Sequence, residues 1–178
     1  MIYEGKKKIW SDYQKEIPQD HYFFARSCIR QNFNPGAENV MLDVVRDKLG
    51  KDFYETKYHT TCGGIAYHSD VIPQETVMTI IARQFALMKE AGYENLVVSC
   101  VTSFGLYSEI LETWREFPEL EAKVKQHLWD ACKKEFDKPK FLVHSSDIMY
   151  NYRNLMAEQA KYSLINKKTG QPLKVVEH

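Results

Sequence analysis

The feature that most constrains the fold of this chain is the alternation of short apolar runs with longer helical patterns. Five runs rich in aromatic and β-branched residues occur, at 21–28, more weakly at 53–58, at 95–100 and 140–144, and in a final short run at 173–177. Between them, apolar residues recur at helical spacing. Strands that alternate with helices in this way predict βαβ units. We therefore expect an α/β fold, a mainly parallel sheet of about four to five strands flanked by helices, doubly wound and Rossmann-like.

The helices are expected between those strands, at about residues 40–49, 73–92, 104–117, 118–136 and 147–162. Apolar residues cover much of the second of these helices, so it should be well buried. A chain of 178 residues fits one domain that is large enough to bury a core without disulfides. We assign residues 1–20 to an N-terminal lead-in and residues 21–178 to a single α/β domain.

The net charge and the apolar content bear on which partners and which cell compartment to expect. The 24 lysines and arginines balance the 24 aspartates and glutamates, so no net field draws the chain to nucleic acid or to an anionic membrane. Its longest apolar stretches fall well short of the ~20 residues that a membrane-spanning helix needs. The first residues lack the apolar segment of a secretory signal. We therefore expect a cytoplasmic protein whose four cysteines are reduced thiols or metal ligands.

The positions of the cysteines relative to the strands indicate a site. Cys28 and Cys100 end the first and third predicted strands, and Cys62 lies in the loop after the second. The carboxyl ends of parallel strands lie along one edge of a sheet, where ligands of α/β proteins bind. We therefore predict that these three thiols share one edge, near His144 at the end of the fourth strand. Cys132 lies on an apolar helical stripe instead and is expected in the core.

Three thiols at one edge fit several kinds of chemistry, and the sequence leaves them open. Each thiol alone is a small residue of the kind that fills space in a core. Together they are candidate ligands of a metal or cluster, or two of them form a disulfide on oxidation. A zinc site would add one histidine from His59, His68 or His144. The Gly63-Gly64 pair either lets the backbone approach an anionic group or forms a simple turn.

At these residues the sequence resembles the cysteine-rich "CCG" domain of the heterodisulfide reductase B subunit and related proteins. That domain carries a cysteine after its first strand, then a Cys-Cys-Gly, then a Cys-x-x-Cys. The corresponding segments here are Ala25-Arg26-Ser27-Cys28, Thr61-Cys62-Gly63-Gly64 and Cys100-Val101-Thr102-Ser103. The strand segments Leu96-Val97-Val98 and Phe141-Leu142-Val143 match as well, so the resemblance covers nearly the whole chain.

The resemblance implies an electron-transferring component of an oxidoreductase, of the heterodisulfide reductase or the succinate/fumarate reductase E type. Cys28, Cys62 and Cys100 would be ligands of an iron–sulfur cluster. The implied partners are other oxidoreductase subunits or a second CCG half, which is absent from this chain. The ligand set is incomplete, because Thr61 and Ser103 stand where the family has cysteines. The alternative is a non-catalytic, partner-binding domain of the same ancestry without a cluster.

Overall fold

A computed structural model describes residues 15–159 and Gly170. At its centre lies a four-stranded sheet in the order β2-β1-β3-β4, and all three strand pairings are parallel. The strands are β1 (Tyr22–Ala25), β2 (Phe53–Tyr54), β3 (Asn95–Val98) and β4 (Phe141–His144). The expected α/β fold is therefore confirmed. The predicted final strand at 173–177 and most of the lead-in at 1–20 lie outside the described residues.

The strands form because apolar side chains on both faces of the sheet are buried. Phe23 and Phe24 are neighbours in β1, point to opposite faces and are both fully buried. A strand buried on both faces has a continuous apolar run rather than an alternating one, which is why these strands are visible in the sequence. The second strand is shorter than the predicted 53–58. It ends at Tyr54, and the next residue, Glu55, forms ion pairs with Arg26 at 2.5 Å and Arg46 at 3.2 Å.

Eight α-helices are described in residues 15–159. They are α1 (Cys28–Phe33), α2 (Pro35–Asp43), α3 (Gly64–His68), α4 (Gln74–Glu90), α5 (Val101–Glu116), α6 (Pro118–Cys132), α7 (Ser145–Asn151) and α8 (Arg153–Gln159). A π-helical segment, Val44–Lys48, continues α2. The predicted helix at 73–92 corresponds to α4 and is buried as expected. The short helices α1 and α3 were not predicted.

Several predicted helix boundaries were wrong, for local reasons. The helix predicted at 40–49 corresponds to α2 and begins at Pro35 instead, because proline suits the first helical position. The helix predicted at 118–136 ends at Cys132, because Lys133 adopts a left-handed conformation with φ of 56°. The helix predicted at 147–162 begins at Ser145 and is interrupted at Tyr152 before α8.

Apolar side chains pack against both faces of the sheet, as in a doubly wound fold. One face packs against α4, α5 and α6, and the other against α2, the π-helical segment and α7. Among the described helices, not one combines the length and the apolar character needed to cross a membrane.

The strand order indicates where ligands bind in sheets of this type. The chain runs from β1 outward to β2 on one side, and then through β3 to β4 on the other side. The direction of winding therefore reverses between β1 and β3. In open α/β sheets, ligands bind at such a reversal, outside the carboxyl ends of the strands. We call this end of the sheet the carboxyl edge.

Candidate functional site

Cys28 and Cys100 lie directly after the two strands that flank the reversal. Strand β1 ends at Ala25 and β3 ends at Val98, so the prediction that these cysteines end the strands was wrong by a few residues. Both instead begin helices. Cys28 is the first residue of α1, whose N-cap Ser27 accepts a hydrogen bond from Arg30 N through its side chain. Cys100 is itself the N-cap residue of α5, with extended backbone (φ −112°, ψ 126°).

Cys62 reaches the same edge from the loop that precedes α3. Its side chain is buried, and Gly64 N–H donates to its Sγ at 3.4 Å. Gly63 adopts a left-handed conformation with φ of 74°, which glycine tolerates best. A Cβ on Gly64 would lie 3.2 Å from Thr102 Cγ2 and 3.4 Å from Cys62 Sγ. The Gly63-Gly64 pair thus allows the backbone of α3 to pack closely against Cys62 and α5.

Ser103 connects the thiols of Cys62 and Cys100. Its hydroxyl donates to Cys62 Sγ at 3.2 Å, and both groups are buried. The same hydroxyl and the Ser103 N–H also act on the Cys100 thiol. In the CCG family that this sequence resembles, a cysteine stands at the position of Ser103. Here a serine hydroxyl lies beside both sulfurs instead.

The surroundings of Cys100 favour its thiolate. Burial raises the pKa of the Cys100 thiol, but the donors of Ser103, the Ser27 hydroxyl and the Thr102 N–H together lower it below its ordinary value. Two of these donors, Thr102 and Ser103, lie in the first turn of α5, whose N-terminus carries the positive end of the helix dipole. A thiol of lowered pKa at a helix N-terminus is typical of reactive cysteines.

Tyr107 lies on α5, the helix that also carries Ser103, and this side chain is 2% exposed. Burial raises the pKa of Tyr107, and the Cys62, Cys28 and Cys100 thiols raise it further when they are ionised. The contact that joins two of the cysteines is the Ser103 hydroxyl, which lies beside Cys62 and acts on Cys100. Tyr107 was not singled out from the sequence, where it is one aromatic residue among many.

Cys132 lies apart from this group. It is the last residue of α6, and its Sγ donates to the carbonyl oxygen of Leu128 at 3.3 Å, one helical turn earlier. Its side chain packs against the core residues between α6 and the sheet. Cys132 is therefore half-buried at the margin of the core rather than inside it, as had been expected.

Two of the candidate histidines are partly buried at the carboxyl edge. Burial lowers the pKa of both His59 and His144. The ring nitrogens of His59 and Nε2 of His144 are buried without a hydrogen-bond partner. His144 Nδ1 faces the hydroxyl and N–H of Ser146. His68 is exposed at the end of α3, with its ring against Tyr67.

A buried carboxylate, Glu38, bonds to the residues that precede Cys28 and Cys100 and was not expected from the sequence. It is 1% exposed and accepts hydrogen bonds from Ser27 N, Gln31 Nε2 and the Ser99 hydroxyl. One sequence signal pointed to it. Glu38 shares a helical face with Leu42 and Val45, both of which are buried, so it is an acid on an apolar stripe.

The described cysteines do not provide the four thiolates that a usual iron–sulfur cluster needs. Iron–sulfur clusters of the usual kind take four cysteine ligands, and at this edge the Ser103 hydroxyl lies beside Cys62 and acts on Cys100. Within residues 15–159 and Gly170, no group of three His, Cys, Asp or Glu side chains is arranged to hold a metal ion. All four cysteines are free thiols.

Comparison with known proteins points to the same family as the motifs. No family model matches the chain. A 98-residue stretch, 55% of this chain, is 30% identical to the B subunit of the ferredoxin:CoB-CoM heterodisulfide reductase of Methanosarcina acetivorans. The matched stretch is 31% of the length of that relative. The chain is therefore distantly related to the B subunit of a heterodisulfide reductase, a component of an oxidoreductase.

Proposed function

We propose that this chain is a redox component of the kind represented by the heterodisulfide reductase B subunit, and that Cys28, Cys62 and Cys100 form its redox site. The observation that supports this most directly is that the Ser103 hydroxyl lies 3.2 Å from Cys62 Sγ and also acts on the Cys100 thiol. The three cysteines come from three separate segments, and Cys28 and Cys100 follow the two strands that flank the sheet's reversal point, where ligands bind in this class of fold.

The chemistry that these side chains support without a cofactor is thiol–disulfide exchange. Cys100 is the attacking group in this proposal, because its pKa is lowered and nucleophilic attack requires the thiolate. Cys62 is the second thiol, because Ser103 lies against both sulfurs. Oxidation of the Cys100 thiolate and the Cys62 thiol to one disulfide releases two electrons and one proton. The acceptor is a disulfide or an electron-carrying partner protein.

An iron–sulfur cluster on Cys28, Cys62 and Cys100 is the other form of this proposal, implied by the resemblance. With Ser103 beside Cys62 and Cys100, such a cluster would need its fourth ligand from Ser103 or from another protein segment. The proposed partners are accordingly other oxidoreductase subunits or a second CCG half, since the matched relative is itself a subunit. A second half would supply ligands from its own chain.

One experiment separates these forms. The full chain is purified without oxygen and assayed for iron and acid-labile sulfide, and its thiols are counted before and after mild oxidation with diamide. We expect iron-free protein in which oxidation removes a pair of thiols, and peptide mapping that finds a Cys62–Cys100 disulfide. Cys132→Ser is the matched control, because it removes a thiol outside the site and should leave the oxidisable pair intact. Cys100→Ser should abolish it.

The outcomes decide between the forms of the proposal. Stoichiometric iron and sulfide that disappear in Cys28→Ser would replace the dithiol with a cluster on the same residues. A protein that holds no iron and keeps all its thiols after oxidation would contradict a redox role in either form.

A partner-binding role without redox chemistry is the second candidate, and one observation favours it. Each thiol of the site is followed closely in the chain by an exposed apolar side chain. These are Ile29 (38% exposed), Ile65 (63%) and Val101 (74%). Exposed apolar residues around a crevice are typical of protein-binding surfaces. If this is the function, Val101→Asp should prevent co-purification with an oxidoreductase component identified by mass spectrometry, while Cys100→Ser should leave it unchanged.

A further inference from the structure

The Glu38 carboxylate contacts both of the chain segments that carry the central cysteines. Its Oε1 atom accepts from Ser27 N at 2.8 Å and also from the Ser99 hydroxyl. Ser27 immediately precedes Cys28, and Ser99 immediately precedes Cys100. One oxygen atom therefore links the β1–α1 connection to the β3–α5 connection. These connections lie on either side of the reversal point of the sheet.

The other oxygen of Glu38 anchors the carboxylate itself. Oε2 accepts from Gln31 Nε2 at 2.5 Å, and Arg26 Nη1 lies 3.9 Å away. All of these partners are hydrogen-bond donors, and Glu38 is 1% exposed. A buried carboxylate is retained only where donors satisfy it. The donors here come from the two connections and α1, so Glu38 holds its position only when those segments are correctly placed.

We infer that Glu38 is a positioning residue for the thiol site: it fixes the Cys28 segment against the Cys100 segment and so holds the Ser27 hydroxyl toward Cys100 Sγ. This inference rests on the proposed function, because it concerns the same thiols. Glu38 does not touch a sulfur. It acts through Ser27, whose N–H it binds and whose hydroxyl acts on Cys100.

Ser27 is well suited to carry this effect. Its backbone N–H is held by Glu38, and its Oγ accepts from Arg30 N at 3.2 Å. The hydroxyl proton of Ser27 is then left for another acceptor, since an oxygen that already accepts can still donate. The Ser27 hydroxyl is among the donors that act on Cys100. Removing the bond from Ser27 N to Glu38 should free the connection and turn this hydroxyl away.

The direction in which Glu38→Gln changes the reactivity of Cys100 distinguishes a positioning role of Glu38 from a direct electrostatic effect of its charge. A negative charge near a thiol disfavours the thiolate, so a carboxylate that acted only by its charge would raise the pKa of Cys100. Glu38→Gln would then make Cys100 more reactive. If Glu38 acts by positioning Ser27, the same substitution makes Cys100 less reactive. Glutamine has one acceptor oxygen where the carboxylate has two, so its NH2 group meets the donors of one side, either Ser27 and Ser99 or Gln31 and Arg26. The side chain is then displaced, and a donor to the thiolate is lost.

The experiment measures alkylation of Cys100 by iodoacetamide against pH in the full chain, quantified by peptide mass spectrometry. The variants are Glu38→Gln, Ser27→Ala and the two combined. We expect each single variant to slow alkylation near pH 7 by about three- to tenfold, the effect of losing one hydrogen bond. The double variant should be no slower than the slower single one, because both changes remove the same interaction.

Glu121→Gln is the matched control. Glu121 is a largely buried acid on α6 that binds Lys125 and Lys138, and it touches none of the residues of the thiol site. It should leave Cys100 alkylation unchanged. Ser99→Ala removes only one donor to Glu38 and should slow Cys100 in the same direction, which keeps the test open if Glu38→Gln does not fold.

Faster or unchanged alkylation of Cys100 in folded Glu38→Gln, or in Ser99→Ala if that variant alone folds, would overturn the positioning role. So would singles whose effects multiply in the double variant. Alkylation does not depend on the thiols being oxidisable. Failure of the proposed redox function therefore appears in the diamide assay, and failure of the positioning role appears in the pH profiles.

Discussion

The two ends of the same parallel sheet each hold a carboxylate surrounded by donors, but at very different depths. At the amino ends of the strands, which we call the amino edge, Asp52 pairs with His21 at 2.8 Å and accepts from the Tyr93 hydroxyl at 2.8 Å. The side chains of Asp52 and His21 are 51% and 57% exposed. At the carboxyl edge, Glu38 is 1% exposed.

The difference in depth decides what each cluster can do. Exposed pairs gain little, because water competes for every partner. A buried group without its partner loses much more, because nothing replaces the lost bond. Buried ring nitrogens without partners, those of His59 and His144, are also found at the carboxyl edge. These ring nitrogens have no partner within the described residues and are therefore available to a ligand. This is one physical reason to propose a functional site at the carboxyl edge.

The largest expected difference between the edges is in stability. Glu38→Ala leaves buried donors from two connections unpaired, and we expect a loss of about 3 kcal/mol or more in the free energy of unfolding. Asp52→Ala at the amino edge should cost about 1 kcal/mol or less, because its partners return to water. Urea unfolding followed by circular dichroism measures both. Equal losses would show that burial is not what separates the two edges.

Glycine substitutions give a smaller contrast. Gly64→Ala places a methyl group 3.2 Å from Thr102 Cγ2 and 3.4 Å from Cys62 Sγ, so we expect a loss of about 1–2 kcal/mol and altered alkylation of Cys62. Gly92 near the amino edge has φ of 80° and open space around it. Gly92→Ala should cost about 1 kcal/mol through backbone strain alone. Cys62 should alkylate in this variant as in the unchanged chain.

The sequence predicted the sheet and the edge because both depend on local patterns. Strands buried on both faces have continuous apolar runs, as in Leu96-Val97-Val98, and these were located correctly. Parallel pairing then fixes which chain ends lie together, so the positions of Cys28 and Cys100 after two neighbouring strands followed from the positions of those strands. Cys62 lies in the loop before α3 and contacts Ser103. A site shared by all three thiols stays a prediction.

What the sequence did not predict depends on contacts between distant segments. Glu38 is buried because Ser27 and Ser99 supply donors, and Ser99 is sixty-one positions away. No local pattern encodes that pairing. The starts of α1 and α3 were missed for a related reason. Six- and five-residue helices are too short to show a periodic pattern.

A third test concerns the thiol at the carboxyl edge, where donors lower a pKa. Ser103→Ala removes a hydroxyl that lowers the pKa of the Cys100 thiol, so the pKa should rise. Thiolate absorption at 240 nm against pH, with Cys100→Ser subtracted, measures it. The folded-state pKa lies below the ordinary value, so the Cys100 thiolate stabilises the fold above about pH 8.5. This contribution is lost as pH falls through the folded-state pKa, and it should shrink in Ser103→Ala.

The smallest expected effect at neutral pH lies at the amino edge, where a carboxylate raises a pKa. The pKa of Tyr93 is raised to about 12, first by burial and then by its hydrogen bond to Asp52 and by the Asp52 charge. Asp52→Asn should lower the Tyr93 pKa toward the ordinary tyrosine value of about 10. Absorbance at 295 nm against pH measures the change, and Tyr93→Phe identifies which titration step belongs to this residue.

Stability should follow this titration with the opposite sign to that at Cys100. The folded-state pKa of Tyr93 is raised, so its contribution is fully present below about pH 10 and is lost as pH rises through the folded-state value. Asp52→Asn should therefore weaken the alkaline loss of stability and leave neutral stability nearly unchanged. A Tyr93 step that stays at its original pH in Asp52→Asn would mean that burial alone sets this pKa. Asp52 would then have no part in raising the Tyr93 pKa.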